Sequence, residues 1–336
     1  MHVMSKRQAV ITSRLIFAGG LILMFPLHLL ACLLAGLLVF ELVNALTRPL
    51  QRLIPGERAR WLAVALLGAC IVAILSILAI MGISAVSHEL RNPGTLLNNA
   101  MDIINQARQQ LPASVVARLP GSAEEVHQTL KELLHEHIYD LQLVGKGALH
   151  IFITLLLGMI IGAIVALQRP PAPTAMTPFT AALLQRVVLL RKAFYNIVFA
   201  QLKISLVNTA LTTIFLLIVL PLFGIHLPLA KTLVLLTFVI GLLPIIGNLI
   251  SNTLIFILAL SISFWVALAT LGYLIAIHKV EYFLNARIVG NQINARSWEL
   301  LVAMLVFEAT FGLGGLIAAP IYYAYIKSEL KSDGLV

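Results

Sequence analysis

A carboxylate inside an apolar stretch is the residue best suited to chemistry in this chain. Glu308 lies within Trp298 to Ile326, where its neighbours are almost all apolar. An ionisable group at membrane depth is costly to hold, so it marks a functional site by default. Such a group can take a proton or a sodium ion alternately from the two sides of a membrane. The competing role is structural, as partner to a buried lysine such as Lys231. A second polar set is periodic. Gln201, Ser205, Asn208 and Thr212 share one helical face. A polar stripe in an apolar helix either hydrogen-bonds a neighbouring helix or lines a path for a polar solute. Asn248 and Asn252 form a similar pair one turn apart. Enzymatic patterns are missing: there is no H-E-x-x-H, no membrane aspartate pair and no G-x-x-x-x-G-K-[ST]. His135-Glu136-His137 lacks the spacing that puts two ligands on one helical face, and reads as a solvated polar face. The chain is therefore read as a non-enzyme that needs no cofactor and no resident metal.

The elements that position these residues are broken apolar helices. Leu229 to Ser263 holds two apolar runs separated by Pro244-Ile245-Ile246-Gly247-Asn248. Each run falls short of the about 20 residues a spanning helix needs. Pro244 lacks a backbone donor and Gly247 accepts unusual dihedrals, so a helix stops here. Breaks at membrane depth are tolerated only inside protein or beside a wet cavity, and they point to transporter binding sites. The alternative is two ordinary helices joined at the membrane surface. The last apolar segment has comparable hairpin breaks at Gly312, Gly314 and Gly315 and, beyond them, at Pro320. A pair of broken hairpins entering from opposite sides suits a moving-barrier transporter. A plain span with glycine packing contacts is the competing reading.

Composition agrees. The chain has 336 residues, 60% hydrophobic and 11% charged, against roughly 25% charged in soluble domains. This predicts an all-α polytopic membrane protein: a helical bundle with broken or re-entrant hairpins and amphipathic interfacial helices. The net charge of +9 does not signal nucleic acid, because the bases sit in short loops beside apolar runs. Cys32 and Cys70 each fall inside an apolar run, which implies neither a disulfide framework nor a metal site.

In chain order, residues 1–83 read as an N-terminal hairpin and a first full span. Leu15 to Leu46 carries Pro26 midway and basic residues at both ends, which favours a hairpin over one kinked helix. Leu62 to Ile83 is the span. Residues 84–148 are richer in acids and carry two amphipathic periodicities, so they are placed outside the cytoplasm, on the membrane or on the bundle. Residues 149–203 comprise a span with a Gly158-x-x-x-Gly162 packing motif, a proline-rich basic linker and an interfacial helix. Residues 204–326 are the expected transport core and 327–336 a cytoplasmic tail. Bases in 1–14, 48–60 and 169–203 place both termini in the cytoplasm.

Four motifs in fixed order carry a family resemblance. They are Ala200-Gln201 before a span, Pro244-Ile-Ile-Gly247, the run Val280-Glu281 to Arg287-Ile-Val-Gly290, and Phe311-Gly-Leu-Gly-Gly315 to Pro320. Their order over nearly the whole chain resembles the AI-2E (autoinducer-2 exporter) family, or PerM-like permeases. That resemblance implies a secondary transporter in a bacterial inner membrane, moving a small polar solute or an autoinducer-2-like signalling molecule. It also implies an elevator-like mobile unit and a homopentamer. Sodium (or lithium)/proton antiport is the alternative activity, with H+ or Na+ as the coupled ion. A passive channel and a non-transporting scaffold are further alternatives. The expected partners are the lipid bilayer, the solute and copies of the same chain, with no nucleic acid.

Overall fold

In the computed structural model, the described residues are 5–91, 138–168, 176–242, 246–293 and 296–335, with isolated positions at 125, 128 and 132. Among them the fold is all-α. The helices are α1 Lys6–Leu23, α2 Leu30–Leu50, α3 Arg58–Arg91, α4 Ile138–Leu167, α5 Pro178–Ile214, α6 Ala230–Ile240, α7 Ile246–Leu260, α8 Phe264–Ile293 and α9 Ser297–Ser332. Five helices among the described residues are long and apolar enough to cross a membrane. Most of the segment read as amphipathic and extracytoplasmic, and the proline-rich linker, lie outside the described residues. The chain divides into two compact units. One is Met1–Met81, Gln142–Ile197 and Ile293–Val336; the other is Gly82–Leu141 and Val198–Gln292.

The first unit is built from two helical hairpins. α1 opens on a capping box between Ser5 and Gln8. It ends at the turn Met24–Leu29, where His28 adopts a positive φ of 55°. Two contacts with one short stretch of α5 show that α2 doubles back. Arg186 Nη2 donates to the Val10 carbonyl at 3.3 Å, and Arg191 is ion-paired to Glu41. A straight helix would hold Val10 and Glu41 roughly 46 Å apart, yet they meet residues only about 8 Å apart along α5. The kinked single helix is thereby excluded.

α9 is a second hairpin. Gly312 has φ 63° and ψ −147°, a region essentially closed to residues with a Cβ. The arms before and after it fold together, since Lys327 Nζ lies 2.6 Å from Glu299 Oε2. Those two residues would be roughly 42 Å apart on a straight helix. Phe25 from the α1–α2 turn stacks on Phe311 with ring centroids 3.9 Å apart. Tyr322 and Phe307 complete this aromatic cluster at 5.6 Å. The break expected at Pro320 is absent: Pro320 sits buried well inside the second arm, which stays helical around it.

The other ends of the two hairpins are tied by charge. Arg14 Nε donates to Glu329 Oε1 at 3.0 Å, and its Nη2 pairs with Asp333. Burial would lower the Arg14 guanidinium's pKa; the hydrogen bonds to Asp333 and Glu329 outweigh it and hold the pKa above its usual value. Buried Arg186 brings its Nε to 3.2 Å from Glu329 Oε1, out of line for a hydrogen bond, so this contact is ionic. Removing one member of such a cluster leaves an uncompensated charge, which is why its loss costs more than its presence contributes.

α2 and α4 cross at van der Waals contact of their backbones. A Cβ on Gly158 would overlap the Cys32 carbonyl, and one on Gly162 the Gly36 carbonyl. The expected packing face is therefore present, with Cys32 and Gly36 as its other half. Val39, Val43, Ala63 and Ala166 form the adjoining core across α2, α3 and α4. On the outer face, Trp61, Leu66, Val72 and Ile77 of α3 are exposed, as suits a lipid-facing helix.

α5 departs from the expected surface helix followed by a separate span. It is one continuous helix through residue 203, with its basic Arg186 buried rather than solvated. Beyond Ile214 it widens into a π turn, Phe215–Val219, just before Pro221. A proline ring clashes with the carbonyl four residues back, here Leu217, and the wider turn relieves that clash.

Candidate solute site at a hairpin tip

The second unit centres on the hairpin formed by α6 and α7. Leu233 and Ile255, both far from the connection, share one buried cluster with Leu227 and Ala259, so the helices lie antiparallel. At 11 and 15 residues, neither reaches the about 20 needed to cross a bilayer. Pro244 itself lies outside the described residues. Gly247 is in place at the tip: a Cβ there would overlap the Ile240 carbonyl and sit 2.9 Å from Gly241 Cα. Gly315 plays the same part in α9, where a Cβ would overlap the Phe307 carbonyl, whereas a Cβ on Gly314 would meet only the Leu30 side chain, at 3.5 Å.

The polar stripe of α5 docks on this tip. A helix ends with carbonyls that have no partner within it. Gln201 Nε2 donates to the Gly241 carbonyl and Ser205 Oγ to the Phe238 carbonyl, each at 2.8 Å. These two side chains cap α6. Asn208 Nδ2 donates to Asn248 Oδ1 at 2.8 Å, joining α5 to the first turn of α7. Asn208 is 4% exposed and Asn248 5%. Thr212 is buried one turn further along α5, and Asn252 is half-buried one turn further along α7.

The capping leaves a residue of unmet polarity. Among the described residues, Asn208 Oδ1 is buried and accepts no hydrogen bond, and the buried hydroxyls of Thr209 and Thr270 also lack partners. An unmet buried polar group costs about 1–3 kcal/mol, and it is the kind of atom a polar solute or a cation would satisfy. Across from α5, Tyr273 of α8 stacks on Phe215 at 3.9 Å and donates to the Leu211 carbonyl at 2.9 Å. That contact braces α5 immediately before its π turn.

The structure thus gathers Gln201, Ser205, Asn208 and Asn248 into one seam. Glu308 is not part of it: it belongs to the first unit and is exposed on the first arm of α9, one turn before Gly312. The buried carboxylate expected from sequence therefore gives way to a surface position. The side chains of Glu281 and Arg287, and the surroundings of Gly290, lie outside the described residues, though α8 runs through all three positions. Sequence reasoning passed over Glu41, which is 3% exposed and ion-paired to Arg191. Its signal was the same as that of Glu308, a lone acid in an apolar run.

The model of the AI-2E family transporter matches residues 11–332. No curated protein matches the chain. With a match over almost its whole length, on a fold of apolar helices and broken hairpins, the chain belongs to the AI-2E family and is a multi-pass membrane transporter.

Proposed function

We propose that this protein is a secondary transporter that takes its solute at the seam between α5 and the tip of the α6–α7 hairpin. The observation that carries the reading is the buried Asn208–Asn248 pair with Asn208 Oδ1 left unsatisfied. Broken helices with polar groups beside the break are the usual site of recognition in such transporters. Gln201 Nε2 and Ser205 Oγ cap α6, so recognition centres on Asn208 Oδ1 beside Asn248. The solute is small and polar and offers a hydroxyl or amine donor, as an autoinducer-2-like signalling molecule would. A broken hairpin in each unit, α9 in the first and α6–α7 in the second, supports an elevator-like movement of one unit carrying the solute. A homopentamer in a bacterial inner membrane, with both termini in the cytoplasm, completes the proposal. Nothing in this reading involves enzymatic chemistry.

Sodium/proton antiport is the second reading. An acceptor oxygen without a donor, close to the opened end of a helix, suits a cation as well as a hydroxyl. Solute flux in proteoliposomes separates the roles within the stripe. Asn208→Ala should lower flux at least about tenfold while assembly is unchanged, as expected when a buried polar contact to substrate is lost. Gln201→Ala should act chiefly on stability. Normal flux in Asn208→Ala, with weakened helix packing, would reduce the whole stripe to structural glue.

A further inference from the structure

We propose that a groove between α2, α4 and α5 holds one acyl chain of an anionic phospholipid, with the lipid phosphate on Arg191. The groove encloses about 350 Å³, within the range of sites that hold small ligands. Leu29, Leu33, Leu37, Ile161, Val165 and Val187 form its walls, and Gly36 and Gly162 form part of its lining where α2 and α4 touch. Among the described residues, Arg191 is the one charged member of the lining. The stretch of α2 from Leu29 to Phe40 fixes its length at about 16 Å. The hydrocarbon core of a bilayer is about 30 Å thick, so the groove matches one leaflet.

Charge chooses the occupant. Arg191 stands at the Phe40 end of the groove, its guanidinium 5.2 Å from the centre of that ring. Glu41 takes Nε and Nη2, while Nη1 stays open on a side chain that is 38% exposed. Lys192, the next residue, is exposed, and α2 runs on from Glu41 to an exposed Arg48. An apolar slot of one-leaflet length that ends among three bases, Arg191, Lys192 and Arg48, against the single carboxylate of Glu41 fits a lipid tail with a phosphate above it. Basic pockets between membrane helices bind anionic headgroups in this way. A zwitterionic lipid carries its own cation beside the phosphate and gains less from Arg191 and Lys192.

The test uses the full chain in mixed micelles with phosphatidylglycerol or phosphatidylcholine, counting bound lipid by mass spectrometry of the intact complex. Wild type should retain one phosphatidylglycerol per chain, roughly fivefold in preference to phosphatidylcholine. Val187→Trp fills the slot from a side chain that is already 43% exposed, and should lose the lipid at unchanged helix content. The double variant Glu41→Gln/Arg191→Gln removes both charges together and leaves no lone buried ion. It should keep a lipid but lose the preference for phosphatidylglycerol. Equal retention of the two lipids by wild type would overturn the proposal, as would undiminished phosphatidylglycerol on Val187→Trp. So would a chain-to-chain disulfide through Cys32, which lines the groove, forming equally with and without phosphatidylglycerol, because a second copy would then occupy it.

Discussion

Gly162→Ala tests how closely α2 and α4 approach. A Cβ added at Gly162 would stand 2.8 Å from the Cα and carbonyl carbon of Gly36, and nearer still to the oxygen. Carbon atoms pack best at about 3.5–4.0 Å, so the helices must part by roughly 1 Å. Both sides of the contact are backbone, and no side chain can swing aside to absorb the change. Overpacking of this kind costs about 1–3 kcal/mol. Alanine recovers about 0.5–1 kcal/mol over glycine inside a helix. The balance is a loss centred on about 1 kcal/mol and reaching about 2.5 kcal/mol. Gly68→Ala on α3 is the control, because nothing lies within 4 Å of a Cβ there. It should gain up to about 1 kcal/mol. Unfolding in detergent, followed by circular dichroism, should rank Gly68→Ala at or above wild type and Gly162→Ala below it. A Gly162→Ala protein as stable as wild type would refute the backbone-contact argument.

Three further outcomes follow from the hairpins, the ion pairs and the charge pattern. Gly312→Ala should cost about 1–3 kcal/mol through backbone strain. It should also lower the yield of a disulfide engineered with Glu299→Cys and Lys327→Cys, since those positions meet only when α9 doubles back. Arg191→Gln should destabilise by about 3–5 kcal/mol, because Glu41 is left charged and buried. Glu41→Gln should cost no more than about 1 kcal/mol, because the half-exposed Arg191 can turn to water. Denaturant unfolding of the two variants side by side reads that asymmetry. In a background without cysteines, a Cys at Ser122 should react with an impermeant maleimide in intact cells. Reaction only after the membrane is breached would reverse the orientation drawn from the basic clusters.

Much of the fold was legible because its signals are local. Gly247 and Gly312 mark the two tips, Gly158 and Gly162 mark a packing face, and the spacing of Gln201, Ser205 and Asn208 marks one side of a helix. What stayed hidden depends on residues far apart in the chain. In sequence Arg186 is only one of the bases in 169–203; its partner Glu329 is brought to it across 143 positions by the fold. For the same reason the amphipathic helix around it was placed on the membrane surface rather than within α5. The stripe's spacing told which face it occupies but not what it faces, since its partners are main-chain carbonyls that carry no sequence signal. Pro320 shows the limit of reading breaks from proline alone: a buried helix tolerates one when its neighbours hold it in place. Glu308 shows the limit of hydropathy, which gives depth along a segment and not the direction a side chain points.

Gradient-driven flux through the purified protein tests the central claim most directly. The assay loads proteoliposomes with candidate polar solutes and imposes a proton or a sodium gradient, wild type beside Asn208→Ala. The account predicts saturable flux by wild type, accelerated by one of the two gradients, and a loss of at least about tenfold in Asn208→Ala with the protein still assembled. Flux that neither saturates nor responds to any gradient, and that is unchanged by Asn208→Ala, would contradict it and leave a passive pore.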